Sequence, residues 1–338
     1  LDTRWIYYEK EAKFLNESRR ELGDHLKGNE FLVGTPQARR VSESRPLLVP
    51  GLFDLHLHDW GSVGFPAEVN PDEEILGLLK ADPDQLVPSA NLAKEVWSNL
   101  QTEWKLEGDL RGSDAKHLCR ALFRYCIAIA HAPQYESDHK DLLAQDWPHI
   151  PIPKDEAQFS EGVDLGSQVA RLLDPLADAA PILKALLGKD SKTLAVIERS
   201  GGGSISDSEL MVEYSYYGAA TGKWEERAPK ETEALHPEWG EVTGNLYLND
   251  SIFLSHVPKE VWRYELGGYP VLKKWLGYRH AERRRNAPLS LSELDWFRSI
   301  VLRVAALLLL RLQLDHAYEK ATAGAWSVDE LFHMGSRS

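Results

Sequence analysis

Cysteine, methionine and long apolar runs are scarce in this 338-residue chain, and each shortage narrows what it can be. The two cysteines, Cys119 and Cys126, stand seven positions apart inside an apolar helical pattern. That spacing puts them on nearly one face of a helix about two turns apart, too far for a disulfide. A disulfide-stapled secreted scaffold is excluded, and core thiols in a reducing cytoplasm are expected. No Cys-x-x-Cys pair suggests zinc. No apolar run reaches the ~18 residues of a membrane span. The longest, Val304–Leu310, lies between Arg303 and Arg311 and is expected to be a buried core helix, so no membrane partner is implied. The start shows no basic-then-apolar leader. Leu1 in place of Met suggests a fragment, and Gly335-Ser336-Arg337-Ser338 reads as a cloning scar.

Several catalytic signatures are also missing. Gly201-Gly202-Gly203 lacks the spacing and the following Lys-Ser/Thr of a phosphate-binding loop. There is no Asn/Asp-Pro-Pro-Tyr/Phe string, with which an amino-methylating DNA methyltransferase grips a flipped base, and no Gly-x-Ser-x-Gly elbow. Methylation, cleavage or ATP chemistry would therefore lie elsewhere in any parent protein.

What is present fits a folded protein of one large or two medium domains. Hydrophobic residues make up 43% of the chain, with 12 Tyr, 11 Trp and 9 Phe. Residues 4–8, 30–34 and 47–58 read as strands, and 60–90 as a Gly/Pro/Asp-rich ordered loop. Helices are expected from Asn91 to about Trp104, from a Ser113 cap to about His131 with Pro133 ending it, and over about 136–145. Residues 146–160 are Pro-rich and extended, and 167–188 are helical with breaks near Pro175 and Pro181. Thr193–Glu198, Leu210–Tyr217 and Glu241–Leu248 read as strands, 270–280 as a short helix, and 291–319 as a long one opened by a Ser290/Glu293 capping box. The blocks are segregated rather than alternating, which predicts an α+β fold of mixed sheet segments with helical bundle elements. The expected division is 1–160, a β then helical part, and 161–334, an α+β part, with 335–338 outside the fold.

Two constellations carry chemistry. Val49-Pro-Gly-Leu-Phe-Asp-Leu-His-Leu-His-Asp59 is similar to the first metal motif of the amidohydrolase superfamily. On a strand, His56 and His58 would face one side and could share a metal that activates water. The long β/α barrel, bridging Lys and further His and Asp that such an enzyme needs do not follow.

The second constellation spans 258–285. The net charge of −13 argues against a wholly electrostatic DNA binder. Yet within 273–285 Lys273, Lys274, Arg279, Arg283, Arg284 and Arg285 are opposed only by Glu282, a local +5 that leaves −18 elsewhere. Gly267 and Gly268 allow positive φ, and Pro270 suits the first turn of a helix. On that helix Leu272, Trp275, Leu276 and Arg279 share a face expected to dock on the domain, while Lys273 and Lys274 point outward. Arg279 is placed to stack on Trp275. A helix N-terminus and a basic rim suit anchoring on a phosphate backbone.

Asn249-Asp250…Phe253-Leu254-Ser255…Val257-Pro258…Val261-Trp262, followed by Gly267-Gly268-Tyr269-x-Val271-Leu272-Lys273-Lys274-Trp275-Leu276-x-x-Arg279, resembles the C-terminal signature of type ISP restriction–modification enzymes. Asp2–Tyr8 is similar to the family's stretch after its methyltransferase domain. Asn29-Glu30-Phe31-Leu32-Val33…Gln37 and Tyr125…His131-Ala132-Pro133-x-Tyr135…Pro148-x-Ile150-Pro151 resemble two further segments, in family order. The chain departs from the pattern at Glu136 and His149, where the family usually has Arg. The resemblance implies a non-catalytic target-recognition region that binds double-stranded DNA beside a methyltransferase domain, in the cytoplasm. S-adenosylmethionine, ATP and magnesium would serve only the full-length parent. Gln37, Arg39, Arg40 and Tyr269 join the basic window as expected DNA contacts. A protein–protein scaffold of a defence complex is the remaining alternative.

Overall fold

Apolar residues alternate along the Asn29–Gly34 stretch, and in the computed structural model the strand Phe31–Gly34 buries Phe31 and Val33 while Leu32 and Gly34 lie half-buried. The structure describes residues 28–39, 41–53, 56–58, 61–70, 87–214, 222–227 and 235–332. The strand expected at 4–8, Arg40 and residues 215–217 lie outside the described residues. The architecture is α+β, built from small antiparallel sheets and separate helical blocks. The chain forms two compact units: Arg171–Leu312, and the residues up to Ala170 together with those from Gln313 onward.

In the discontinuous unit, Phe31–Gly34 is the middle strand of an antiparallel sheet, between Leu47–Val49 and Val63–Pro66. The strand expected over 47–58 thus stops at Val49. The region 60–90 is not all loop, since it contains Val63–Pro66 and a pair of two-residue strands, Glu68–Val69 and Ser89–Ala90. Helices follow at Lys94–Glu103 and Ser113–Ala130. Ser113 is the first helical residue rather than the cap, which is Gly112. Pro133 opens a further helix, Pro133–Asp138, where its missing N–H costs nothing. The Pro-rich segment is extended and strapped down only as far as Asp155, because the helix Glu156–Leu173 takes up the rest of the expected 146–160 stretch. Pro151 O accepts from Tyr125 Oη at 2.7 Å, Lys154 O from Trp104 Nε1 at 3.1 Å, and Ile152 O from Trp326 N at 2.8 Å.

The helix Glu156–Leu173 crosses Ser113–Ala130 at very short range, and two glycines permit it. A Cβ on Gly166 would sit 1.7 Å from Arg124 O, and one on Gly162 would sit 2.6 Å from the Tyr125 ring. Backbone cannot yield as a flexible side chain can, so only glycine fits at 166.

The other unit holds a four-stranded antiparallel sheet in the order Val196–Arg199, Ile252–Pro258, Thr243–Tyr247, Lys223–Arg227. Leu210–Tyr214, the described part of an expected strand, is irregular. Beneath the sheet runs Leu291–Leu309, whose Val304–Leu308 segment is buried as expected. No helix of the described residues is long and apolar enough to cross a membrane. The predicted single helix over 291–319 is interrupted at Leu310 and resumes as Arg311–Ala323. Trp239, 2% exposed, donates to Ala305 O at 2.9 Å. Arg303, buried on the same helix, gives its guanidinium to the carbonyls of Arg171, Asp174 and Ala177 at 2.9, 2.8 and 2.7 Å. Those carbonyls lie at and beyond the end of Glu156–Leu173, where the helix leaves acceptors unmatched.

Gly166→Ala tests the close crossing. In an open helix this change gains about 1 kcal/mol; here overpacking against Arg124 O should reverse the sign, with a loss of about 2 kcal/mol or more. Urea denaturation of the two proteins measures it, and a stabilised variant would disprove the crossing.

Candidate nucleic-acid interface

The Gly267-Gly268 pair forms the two-residue loop of a hairpin in which Glu265 faces Pro270 and Leu266 faces Tyr269. Both glycines have positive φ, +59° and +84°, the backbone a type I′ turn needs. The hairpin ends where the helix Val271–Tyr278 begins, capped by Pro270. The first helical N–H, that of Val271, is already committed to Tyr264 O at 3.1 Å. The expected phosphate-ready helix start is therefore partly occupied by the protein's own backbone.

The two faces of this helix separate as its spacing predicts. Leu272, Trp275 and Leu276 are buried, and Trp275 stacks on Phe297 with centroids 4.3 Å apart and planes 18° apart. Lys274 is exposed and Lys273 half-buried. Their ammonium groups lie over aromatic faces: Lys273 over Trp262 at 5.1 Å, and Lys274 over Tyr269 at 4.0 Å and Tyr278 at 5.5 Å. Arg283 lies over the other reach of Tyr278 at 5.4 Å. The rings hold the cations in place without neutralising them. Tyr278, exposed between Lys274 and Arg283, was not singled out from sequence. Its signal was the i, i+4 spacing from Lys274.

The six cations do not act alike. Arg279 stacks on Trp275 at 4.1 Å, as its spacing suggests, and approaches Glu293 at 4.0 Å. Arg284 gives Glu293 two hydrogen bonds, 2.6 and 3.3 Å, and a third to Pro288 O at 3.2 Å. These two guanidiniums are turned inward. Lys273, Lys274, Arg283 and Arg285 make the outward rim, which ends at a tight turn where Arg285 and Asn286 have φ of +55° and +59°. Glu293 also closes the expected capping box with Ser290, accepting from Ser290 N at 3.0 Å while Glu293 N donates to Ser290 Oγ at 3.2 Å. Burial pushes the Glu293 carboxyl up, but its hydrogen bonds from Arg284 and Ser290 and the charges of Arg284 and Arg279 outweigh that and hold it below the usual carboxylate range.

The other expected contacts lie in the discontinuous unit. Gln37 and Arg39 are exposed, on a turn that precedes the short 3₁₀ segment Val41–Glu43. Arg40 lies outside the described residues. The turn rests on buried polar groups that sequence reasoning missed. Arg39 N donates to the buried Glu43 carboxylate at 2.7 Å, and Arg45 forms a bidentate pair with buried Glu136.

His56 and His58 do not share a face. Neither lies on a strand; His56 is exposed and His58 buried. Both ring nitrogens of His58 are engaged: Nε2–H donates to Arg45 O at 3.1 Å, and Nδ1 accepts from Ser62 Oγ at 3.2 Å. Burial lowers the His58 pKa. His131 is alike, its Nε2–H on Pro46 O at 2.9 Å, with burial pulling its pKa down to about 3. These are neutral structural histidines, and neither is poised as a metal ligand. The two cysteines are free thiols, and burial pushes that of Cys119 up to about 12.

With this geometry in hand, comparison with known proteins identifies the class. Residues 1–296 match the Type ISP C-terminal specificity domain, and the chain belongs to that family. No curated protein matches. Among solved structures, the chain is similar to the ATP-dependent Type ISP restriction-modification enzyme LlaBIII bound to DNA, at 15% identity and a TM-score of 0.47 over 86% of this chain and 16% of that one. It is also similar to a nuclease-deletion mutant of the Type ISP enzyme LlaGI in complex with a DNA substrate mimic, at 14% identity and a TM-score of 0.44, covering 85% and 17%. A third similarity is to the DrdV–DNA complex, at 14% identity and a TM-score of 0.48, covering 85% and 24%. The chain spans at most 24% of the length of these solved proteins.

Two predictions follow from the charges. Glu293→Gln removes the Arg284 pair and weakens the cap, and should cost about 1–2 kcal/mol in denaturant unfolding; an unchanged midpoint would contradict the role given to Glu293. For His131 the sign is set by a folded pKa below the unfolded one. Between about pH 6.5 and about 3 the unfolded chain binds more protons, so stability is complete above pH 6.5 and falls as pH drops. The loss is at most about 1.4 kcal/mol per pH unit from this residue. The slope of unfolding free energy against pH between 7 and 5 should flatten in His131→Gln relative to the parent chain. An identical slope would rule the assignment out.

Proposed function

We propose that this chain is the target-recognition part of a restriction–modification enzyme and anchors double-stranded DNA through the rim of Lys273, Lys274, Arg283 and Arg285. The supporting observation is the aromatic-braced rim on an otherwise acidic chain, in a domain of the specificity family. Phosphate contacts need cations at a surface rather than exact geometry, and rings beneath the lysines restrain them while leaving the charge intact. In this reading a methyltransferase domain of the parent chain carries the chemistry, and S-adenosylmethionine, ATP and magnesium belong to the parent. Tyr269 serves as a brace beneath Lys274, and Arg279 and Arg284 shape the turn from inside.

Binding of the full chain to a duplex pool at several salt concentrations tests this. Each neutralised phosphate contributes about 0.9 to the slope of log affinity against log salt. The triple substitution Lys273→Ala, Lys274→Ala, Arg283→Ala should weaken every duplex alike and reduce the slope by about 2–3. A parent chain with no salt-dependent affinity for any duplex, or a variant with an unaltered slope, would overturn the proposal.

A further inference from the structure

The turn carrying Gln37 and Arg39 is tied down through its backbone, and the segment just after it by buried polar groups. Ala38 N donates to Leu143 O at 3.0 Å, and Arg39 N to Glu43 at 2.7 Å. Just after it, the carbonyls of Arg45 and Pro46 accept from His58 at 3.1 Å and His131 at 2.9 Å. The Arg45 guanidinium lies in its bidentate pair with Glu136. Glu43 is 1% exposed and Glu136 4%, and Ser42 and Ser44 are buried as well. Burying this many polar and charged groups gains little stability, because desolvation offsets the attraction and an apolar replacement is commonly as stable. The role we assign to this network is to fix the conformation of the backbone it holds.

A fixed conformation matters for reading bases and matters little for touching phosphates. A glutamine amide discriminates adenine, and an arginine fork guanine, only when both of its hydrogen bonds align with the base edge. Supporting groups that lock the presenting backbone are what such contacts need. Glu136 stands where the family resemblance leads one to expect Arg, and here it is the buried partner of Arg45.

We infer that the Gln37–Arg39 turn is a base-reading element, and that Arg45 and Glu136 are positioning residues for it. This rests on the DNA-recognition reading above.

The full chain is used to select duplexes from a randomised pool, and preference is measured as affinity for the selected sequence over a scrambled one. Gln37→Ala and Arg39→Ala should each lower that preference about tenfold at one or two base positions, with the salt slope lowered by at most one contact. The neutral pair Arg45→Met/Glu136→Leu should lose preference at the same positions while its melting temperature and its affinity for scrambled duplex stay near the parent's. The reversed pair Arg45→Glu/Glu136→Arg should restore part of it, which a merely structural role does not predict. Should the pair variants fail to fold, the two exposed-site variants decide. Undiminished preference at every position in Gln37→Ala and Arg39→Ala overturns the inference alone. A parent chain that binds no duplex overturns the recognition reading, and this inference with it.

Discussion

Glu293 sits where three demands meet. As the third residue of the Leu291–Leu309 helix it closes the capping box with Ser290. As a half-buried carboxylate it draws in Arg284 and lies beside Arg279, whose guanidinium stacks on Trp275. Trp275 in turn stacks on Phe297 one turn further along that helix. One negative charge thus fixes the start of the central helix and the inner side of the basic turn, and the aromatic stack runs from them into the core. Arg279 and Arg284 are turned toward Glu293, while Lys273, Lys274 and Arg283 each lie over a ring. That segregation gives an acidic protein a local positive rim, and it depends on a carboxylate that Arg284, Ser290 and Arg279 hold below the usual carboxylate range.

The discontinuous unit solves a different problem. Its helices Ser113–Ala130 and Glu156–Leu173 approach until backbone meets backbone, which Gly162 and Gly166 allow. The Pro-rich strap is fastened by Tyr125, Trp104 and the segment after Ala323. In the same unit, the segment that follows Gln37 and Arg39 is secured by the Arg45–Glu136 ion pair and by His58 and His131 on the carbonyls of Arg45 and Pro46.

The sequence made legible whatever depends on local spacing. The buried face of Val271–Tyr278, the Arg279–Trp275 stack, the Ser290/Glu293 box and the core helix around Val304–Leu310 all follow from residues three or four apart. Long-range pairing was not legible. Nothing local says that Arg284 meets Glu293 instead of solvent, or that Arg45 meets Glu136 ninety-one positions away. The His-x-His pattern misled for the same reason: its strand stops at Val49, and His58 is consumed by Arg45 O and Ser62. The short strands within 60–90 carry too few residues for a period to show, and the order of the four-stranded sheet is set by tertiary packing.

On the proposed reading, the rim of Lys273, Lys274, Arg283 and Arg285 anchors the DNA backbone, and lysines elsewhere on the chain do not. Lysine acylation with and without duplex, mapped by mass spectrometry on the full chain, tests it most directly. Duplex should shield Lys273 and Lys274 and leave Lys94, Lys184 and Lys189 reacting as before. Equal shielding of all five, or shielding confined to the latter three, would contradict it.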